Sequence, residues 1–147
     1  MGAPKLGRTM TQHDLEAVRR AWDAWEAGDM AALFEFYAPD VEWDMTGSWV
    51  ADMGVYAGHD GIRSFFRQFR EPFEDYWAHA EEFVDLGDRV VVRVRQGGRG
   101  KGSGVDIEMP SYWQVYTLRD GKAVRVEVVR TAEDAFGTGA PDQAPRR

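Results

Sequence analysis

From Glu81 to Arg130 the chain alternates short, period-two segments with turns of only a few residues. Val90-Val91-Val92-Arg93-Val94-Arg95 is the clearest segment, rich in β-branched residues, while Gly87-Asp88 and Arg119-Asp120-Gly121 are turn chemistry. Turns this short join neighbouring strands antiparallel, because a parallel return needs a crossover of about a dozen residues or more. The pattern predicts strands over Glu81–Leu86, Val90–Arg95, Val105–Leu118 and Ala123–Arg130. Gly97 to Gly104 reads as a flexible, glycine-dense connection, Pro110 as a bulge or edge in its strand, and Ala132 to Phe136 as a short helical turn.

The first half is patterned for helices. Thr11 and Asp14 resemble a capping box, and Leu15, Val18, Trp22 and Trp25 follow at helical spacing, with Glu16, Arg19, Arg20 and Asp23 on the opposite face. Gly28 ends this helix, and Asp29 caps a shorter one through Leu33, Phe34 and Tyr37, which Pro39 stops. In the strand that follows, Val41, Trp43 and Met45 share one face and Glu42 and Asp44 the other. A loop with Gly47, Gly54 and Gly58 leads to a third helix carrying Ile62, Phe65, Phe66, Phe69 and Phe73, kinked or ended by Pro72. Helices grouped ahead of consecutive hairpins define an α+β domain over residues 11–136. Residues 1–10 are expected as a flexible arm and 137–147 as a flexible tail, since the tail has no large apolar residue to offset ordering entropy.

Composition excludes several functions. The chain of 147 residues is long enough for one core, and its net charge of -7 argues against nucleic acid as a partner. Without cysteine there is no disulfide framework, thiolate zinc site or catalytic thiol. No apolar run approaches the roughly 20 residues of a membrane span, so no membrane partner is expected. The N-terminal stretch lacks the apolar core of a signal peptide, and cytoplasm is the expected location.

Four segments in order carry a resemblance to a known family. They are Trp25-Glu26-Ala27-Gly28-Asp29, Tyr37-Ala38-Pro39-Asp40-Val41-Glu42-Trp43, Val55-Tyr56-Ala57-Gly58-His59-Asp60-Gly61-Ile62 and Leu118-Arg119-Asp120-Gly121-Lys122. With these the chain resembles the NTF2-like superfamily, within it the SnoaL-like and ketosteroid-isomerase-like group. The resemblance implies a cone-shaped, cystatin-like α+β fold, with three helices on a strongly curved mixed or antiparallel sheet that encloses a pocket. It also implies a homodimer formed through the sheet. Members include isomerases, dehydratases, epoxide hydrolases, polyketide cyclases and non-catalytic binders.

In ketosteroid isomerases a carboxylate abstracts a proton while a tyrosine and a protonated aspartate hold the oxyanion. Matching the Ala-Gly-Asp turn and the last hairpin puts the tyrosine position at Ala21, the base at Met45 and the second oxyanion donor at Gln114, so none of the three residue types is kept. Asp44, one residue before Met45, is the nearest base, although strand parity turns it outward unless a bulge reverses the order. Gln114 shares parity with Tyr112 and Tyr116; it can orient a carbonyl or a water but has no useful pKa. His59 can exchange a proton near neutral pH, and both it and Asp52 belong to the glycine-bearing loop region. Catalytic candidates are therefore Asp44, His59 and Gln114.

Six tryptophans, eight phenylalanines and five tyrosines supply ring surface for a substrate. Parity turns Trp22, Trp25, Trp43, Phe66, Phe69, Tyr112 and Tyr116 inward; Met45 and Tyr56 join them as substrate-binding candidates. Arg130 shares parity with Val126 and Val128 and can bind a carboxylate or enolate oxygen or pair with Glu108. His13, His59 and His79 are far apart with no ligand spacing, so no metal is expected. Arg99 and Lys101 among glycines lack the Gly-Lys-Ser/Thr order of a phosphate loop, and strands flank them on both sides. The resulting expectation is a cofactor-independent enzyme doing acid–base chemistry on a small apolar organic molecule, of isomerase, dehydratase, cyclase or epoxide-hydrolase type. The alternatives are a non-catalytic binding domain and a dimeric interaction module.

Overall fold

The computed structural model describes residues 2–48 and 53–137, with side chains from His13 onward. Helix α1 spans Gly2–Ala27. Thr11 and Asp14 therefore lie inside the helix rather than at its start, and the segment expected as a loose arm continues α1. Pro4 permits this, because a first-turn proline lacks only an N–H that has no intrahelical partner. At the other end Gly28 adopts φ 76°, its N–H donates to Trp25 O, and the Asp29 N–H donates to Ala24 O at 2.9 Å. That pair of bonds is a Schellman stop. The Asp29 carboxylate then accepts the Ala32 N–H at 3.1 Å and caps α2, Met30–Phe36. Asp29→Ala should cost about 1 kcal/mol, read as a lower urea midpoint at unchanged slope.

Strand β1 begins directly after α2 and spans Tyr37–Asp44. Tyr37 thus belongs to the strand, not to the helix. Pro39 sits where pairing with the last strand is irregular, between Tyr37↔Ala123 and Glu42↔Arg125, so its missing N–H breaks no ladder bond. A three-residue strand β2, Val55–Ala57, lies in the segment the sequence reads as loop and pairs antiparallel with β1. Then come α3 (Gly58–Arg70), β3 (Phe73–Asp85), β4 (Val90–Gly100), β5 (Asp106–Arg119), β6 (Lys122–Val129) and α4 (Ala132–Phe136). The expected helical turn is α4, capped by Thr131 Oγ1 on the Asp134 N–H at 3.0 Å. The turn into β6 has φ 54° at Asp120 and 79° at Gly121, the pair of positive angles of a type I′ hairpin.

The six strands form one curved, unclosed sheet in the order β2-β1-β6-β5-β4-β3. The run β3 to β6 is antiparallel as expected; among the described residues β1 and β6 are the one parallel pair, with α3 and four strands, β2 to β5, between them as the crossover. Two strand boundaries differ from the sequence expectation. β3 starts at Phe73 because shifts in register after Glu74 and after Ala80, with Asp75 at φ 55°, break its period-two pattern. Gly97 to Gly100 belong to β4 and pair on both sides, so the connection shrinks to the turn after them. The Pro110 bulge is present: Val94 pairs Tyr112 while Gln96 pairs Met109, leaving one extra residue on β5.

The main core lies between the concave face of the sheet and helices α1 and α3. Val18, Val41, Ile62, Val92, Val94 and Val126 are fully buried there. A smaller cluster of Val91, Val115 and Ala135 lies on the convex face under α4. No described helix is long and apolar enough to cross a membrane.

Candidate ligand-binding site

Core packing leaves the centre of the concave face open. A cavity of about 730 Å³, its open mouth included, lies between α1, α3 and the inner face of β1 and β3 to β6. Its size is that of a small-molecule site. Helical spacing brings Trp22 and Trp25 of α1 to the cavity, and Phe66 and Phe69 of α3 face them. Trp43 and Met45 enter from β1, and Tyr112, Gln114 and Tyr116 from β5. Rings meet edge-on across the walls, Trp25 with Phe66 at 5.6 Å and Trp43 with Phe66 at 5.7 Å between centroids. Such contacts hold flat surfaces in fixed orientations.

Polar groups are few and linked. The Tyr116 hydroxyl donates to Gln114 Oε1, and Gln114 Nε2 donates to the Tyr112 oxygen at 3.3 Å. Nearer the mouth, the Tyr76 hydroxyl donates to Gln96 Oε1 at 2.5 Å. Burial pushes the phenols of Tyr37, Tyr76, Tyr112 and Tyr116 well above their ordinary value. Neighbouring phenols add to this at Tyr112 and Tyr116, while the Arg70 charge opposes it at Tyr76. All four remain neutral hydrogen-bonding groups at physiological pH and cannot act as bases. The indole Nε1 atoms of Trp22 and Trp43 are buried with no hydrogen-bond partner. The Trp22 indole is nevertheless close enough to the Tyr116 oxygen to draw that phenol's pKa down against its burial.

Four of the sequence candidates stand elsewhere. Asp44 is a correction: parity holds, and its carboxylate lies across the sheet from the cavity. Its Oδ1 accepts the Thr46 N–H at 2.8 Å and the Thr46 hydroxyl at 2.6 Å, and its Oδ2 accepts from Arg125 at 2.5 Å. His59 points to the backbone, Nε2 donating to Tyr37 O at 2.8 Å, with Phe34 against its ring. Tyr56 packs on the far side of Phe65 and directs its hydroxyl to Gln68 at 3.4 Å. Arg130 falls just past the end of β6 and is exposed, and Glu108 pairs with Arg95 instead. Asp52 lies outside the described residues. His79 meets Glu26 at 3.2 Å, and no cluster among the described residues could hold a metal.

Sequence reasoning missed Tyr37, Arg70, Tyr76 and Gln96 as lining residues. Gln96 had a signal, since Val90, Val92, Val94 and Gln96 alternate on one face. The other three had none: Tyr37 looked like the end of a helix, and Tyr76 lies within the irregular pairing between Glu74 and Trp77. Among the described residues, the lining holds no carboxylate and no imidazole; Arg70 is its one charged group.

The model of the SnoaL-like domain matches residues 18–126. The chain belongs to the SnoaL-like family. The match runs from Val18 to Val126, two fully buried residues, and so covers the SnoaL-like cone while leaving α4 outside it. Solved structures share the NTF2-like fold. TerC, co-crystallised with polyporic acid, is 26% identical over 81% of this chain and 92% of its own, with a TM-score of 0.69. An NTF2-like protein from Burkholderia thailandensis E264 is 27% identical over 78% of this chain and 88% of its own, with a TM-score of 0.70. A protein from Jannaschia sp. CCS1, named provisionally as a SnoaL-like polyketide cyclase, shares the fold at 22% identity over 91% of this chain and 94% of its own, with a TM-score of 0.67. No curated protein matches the sequence. In this SnoaL-like chain the three positions matched to the ketosteroid isomerase machinery, Ala21, Met45 and Gln114, all line the cavity.

Proposed function

We propose that this SnoaL-like protein binds a small, flat, largely apolar organic molecule with a carbonyl or enol oxygen. It acts on that molecule without a cofactor, by hydrogen-bond donation rather than through a carboxylate. The observation that carries the reading is the ring-walled cavity with the Tyr112–Gln114–Tyr116 chain at its floor. Neutral donors held in an apolar site stabilise charge that develops on a carbonyl oxygen, and they do so without reorganising. That is the electrophilic half of enolisation, dehydration or ring closure. The likeness to TerC, whose crystal contains polyporic acid, supports an aromatic ligand of this kind. We carry over from the resemblance a homodimer through the convex sheet face, and from the lack of a signal-peptide pattern a cytoplasmic location.

One observation favours a second reading, a binding protein without turnover. With no carboxylate or imidazole in the described lining, no side chain there can take a proton from carbon at neutral pH. A thermal-shift screen with polyporic acid, steroids, lactones, epoxides and polyketide fragments, followed by product analysis of every hit, separates the two. Product formation establishes the enzyme, and stabilisation without product establishes the binder. A set in which nothing stabilises the protein removes both. Tyr116→Phe should weaken a carbonyl-bearing hit about three- to tenfold by breaking the floor's hydrogen-bond chain, measured by calorimetry.

A further inference from the structure

The cavity has two chemically different ends. Its floor consists of neutral phenols and amides. Its mouth carries Arg70, in the last turn of α3, with the guanidinium 5.7 Å from the Trp25 ring centroid. Arg70 makes no ion pair among the described residues, whereas Arg93, Arg95, Arg99 and Arg125 on the sheet are each paired with carboxylates. The nearest acid in sequence, Glu71, points to Lys101 at 4.0 Å instead. An unpaired cation stacked on a wall ring of an apolar cavity, in a chain of net charge -7, is placed to receive an anion.

Resting on the reading of this cavity as the ligand site, we propose that its ligand is an organic acid. Its carboxylate or acidic enolate lies at the mouth against Arg70, its rings fill the walls, and its carbonyl oxygen reaches the Tyr112–Gln114–Tyr116 floor. This arrangement leaves the charge at the wet rim, where desolvation is small, and sends only the apolar body and one acceptor inward. The guanidinium fork suits a carboxylate, and its stacking on Trp25 limits the entropy lost when the two bind. Without Arg70 the protein's own negative charge would disfavour an acid against its ester.

The test uses three rod-shaped probes: a para,para′-substituted acetylbiphenyl carboxylic acid, its methyl ester, and the ethyl analogue of the acid, which lacks the ketone. Calorimetry on the full chain should show the acid binding about tenfold tighter than the ester at low salt, with the gap narrowing as salt rises. Arg70→Gln should remove that preference and leave ester affinity unchanged, while Arg67→Gln, one turn away and outside the cavity, should change neither. The ethyl acid should retain the Arg70 effect but bind about three- to tenfold more weakly than the keto acid. Equal binding of acid and ester, or an Arg70→Gln variant that keeps the preference, overturns the inference and leaves the cavity reading standing. Failure of all three probes to bind overturns both.

Discussion

Replacing Gly97 with alanine is expected to destabilise the protein by about 2–3 kcal/mol, although its backbone is not in the left-handed region and alanine is the better strand residue. The cause is space. A Cβ built on Gly97 stands 2.5 Å from the Ile107 carbonyl oxygen and 2.6 Å from Trp77 Cζ2. The first of these atoms is backbone in the paired strand β5 and cannot swing aside. The second belongs to a ring stacked on His79 at 5.1 Å and covered by the Arg95 guanidinium at 5.5 Å. Relief requires β4 to move away from β5 or Trp77 to leave the sheet, and either loses packing. The offsetting gain from alanine's lower backbone entropy is about 0.5–1 kcal/mol and does not close the gap. Urea unfolding checks this, with Gly54→Ala as control, because a Cβ at Gly54 meets nothing within 4 Å and should change stability by less than about 0.5 kcal/mol. A Gly97→Ala midpoint equal to that control would mean the strand is not as tightly closed as described.

Gly97 also shows what the sequence could not reveal. A glycine run reads as a turn because glycine's local signature is backbone freedom. Here Gly97 and Gly98 are in a strand, and the rings of Trp77 and Phe73 on β3 lie over them. Those rings come from about twenty residues away in sequence, and no local window contains both partners. The same holds for the start of β3, where bulges after Glu74 and Ala80 break the alternation that defines a strand. Features set by neighbours in sequence were legible: the Gly28 stop, the Asp29 cap, the Asp120-Gly121 turn and the Pro110 bulge. The ring walls of the cavity were legible too, since helical spacing and strand parity decide which way Trp22, Trp25, Trp43, Tyr112 and Tyr116 face. His59 and Arg130 were misplaced because they sit at element ends, where parity gives no direction, and Tyr56 because its three-residue strand reads as loop. Arg70 gave no signal, being one arginine among several on α3 until the curvature of the sheet brings the mouth to it.

Removing the Asp44 side chain tests the division between the two faces of the sheet. Asp44→Ala is expected to cost about 2–3 kcal/mol of stability at neutral pH and to leave ligand affinity in the cavity unchanged. The residue is 8% exposed, and three hydrogen bonds from Thr46 and Arg125 meet its carboxylate. Burial raises its pKa, but the Thr46 bonds and the Arg125 charge together outweigh burial, and the net shift is downward. A carboxylate with a depressed folded pKa stabilises above its unfolded pKa, about 4, and loses that contribution as pH falls through the folded value. The difference between wild type and Asp44→Ala should therefore be full from neutral pH down to about 5, shrink below about 4 and be smallest in stronger acid. Arg125 is not stranded by the change, since Glu42 at 2.8 Å and Glu127 at 3.4 Å still hold it, and this keeps the loss below that of an abandoned buried charge. Asp44→Asn keeps an acceptor for Thr46 but sets an amide N–H in place of the oxygen that accepts from Arg125, so it loses that hydrogen bond along with the charge and should cost about 1–2 kcal/mol. If instead either variant abolished turnover of a ligand while stability stayed at the wild-type level, Asp44 would be the proton acceptor, the sheet would have to open to admit it, and catalysis by hydrogen-bond donors alone would be wrong.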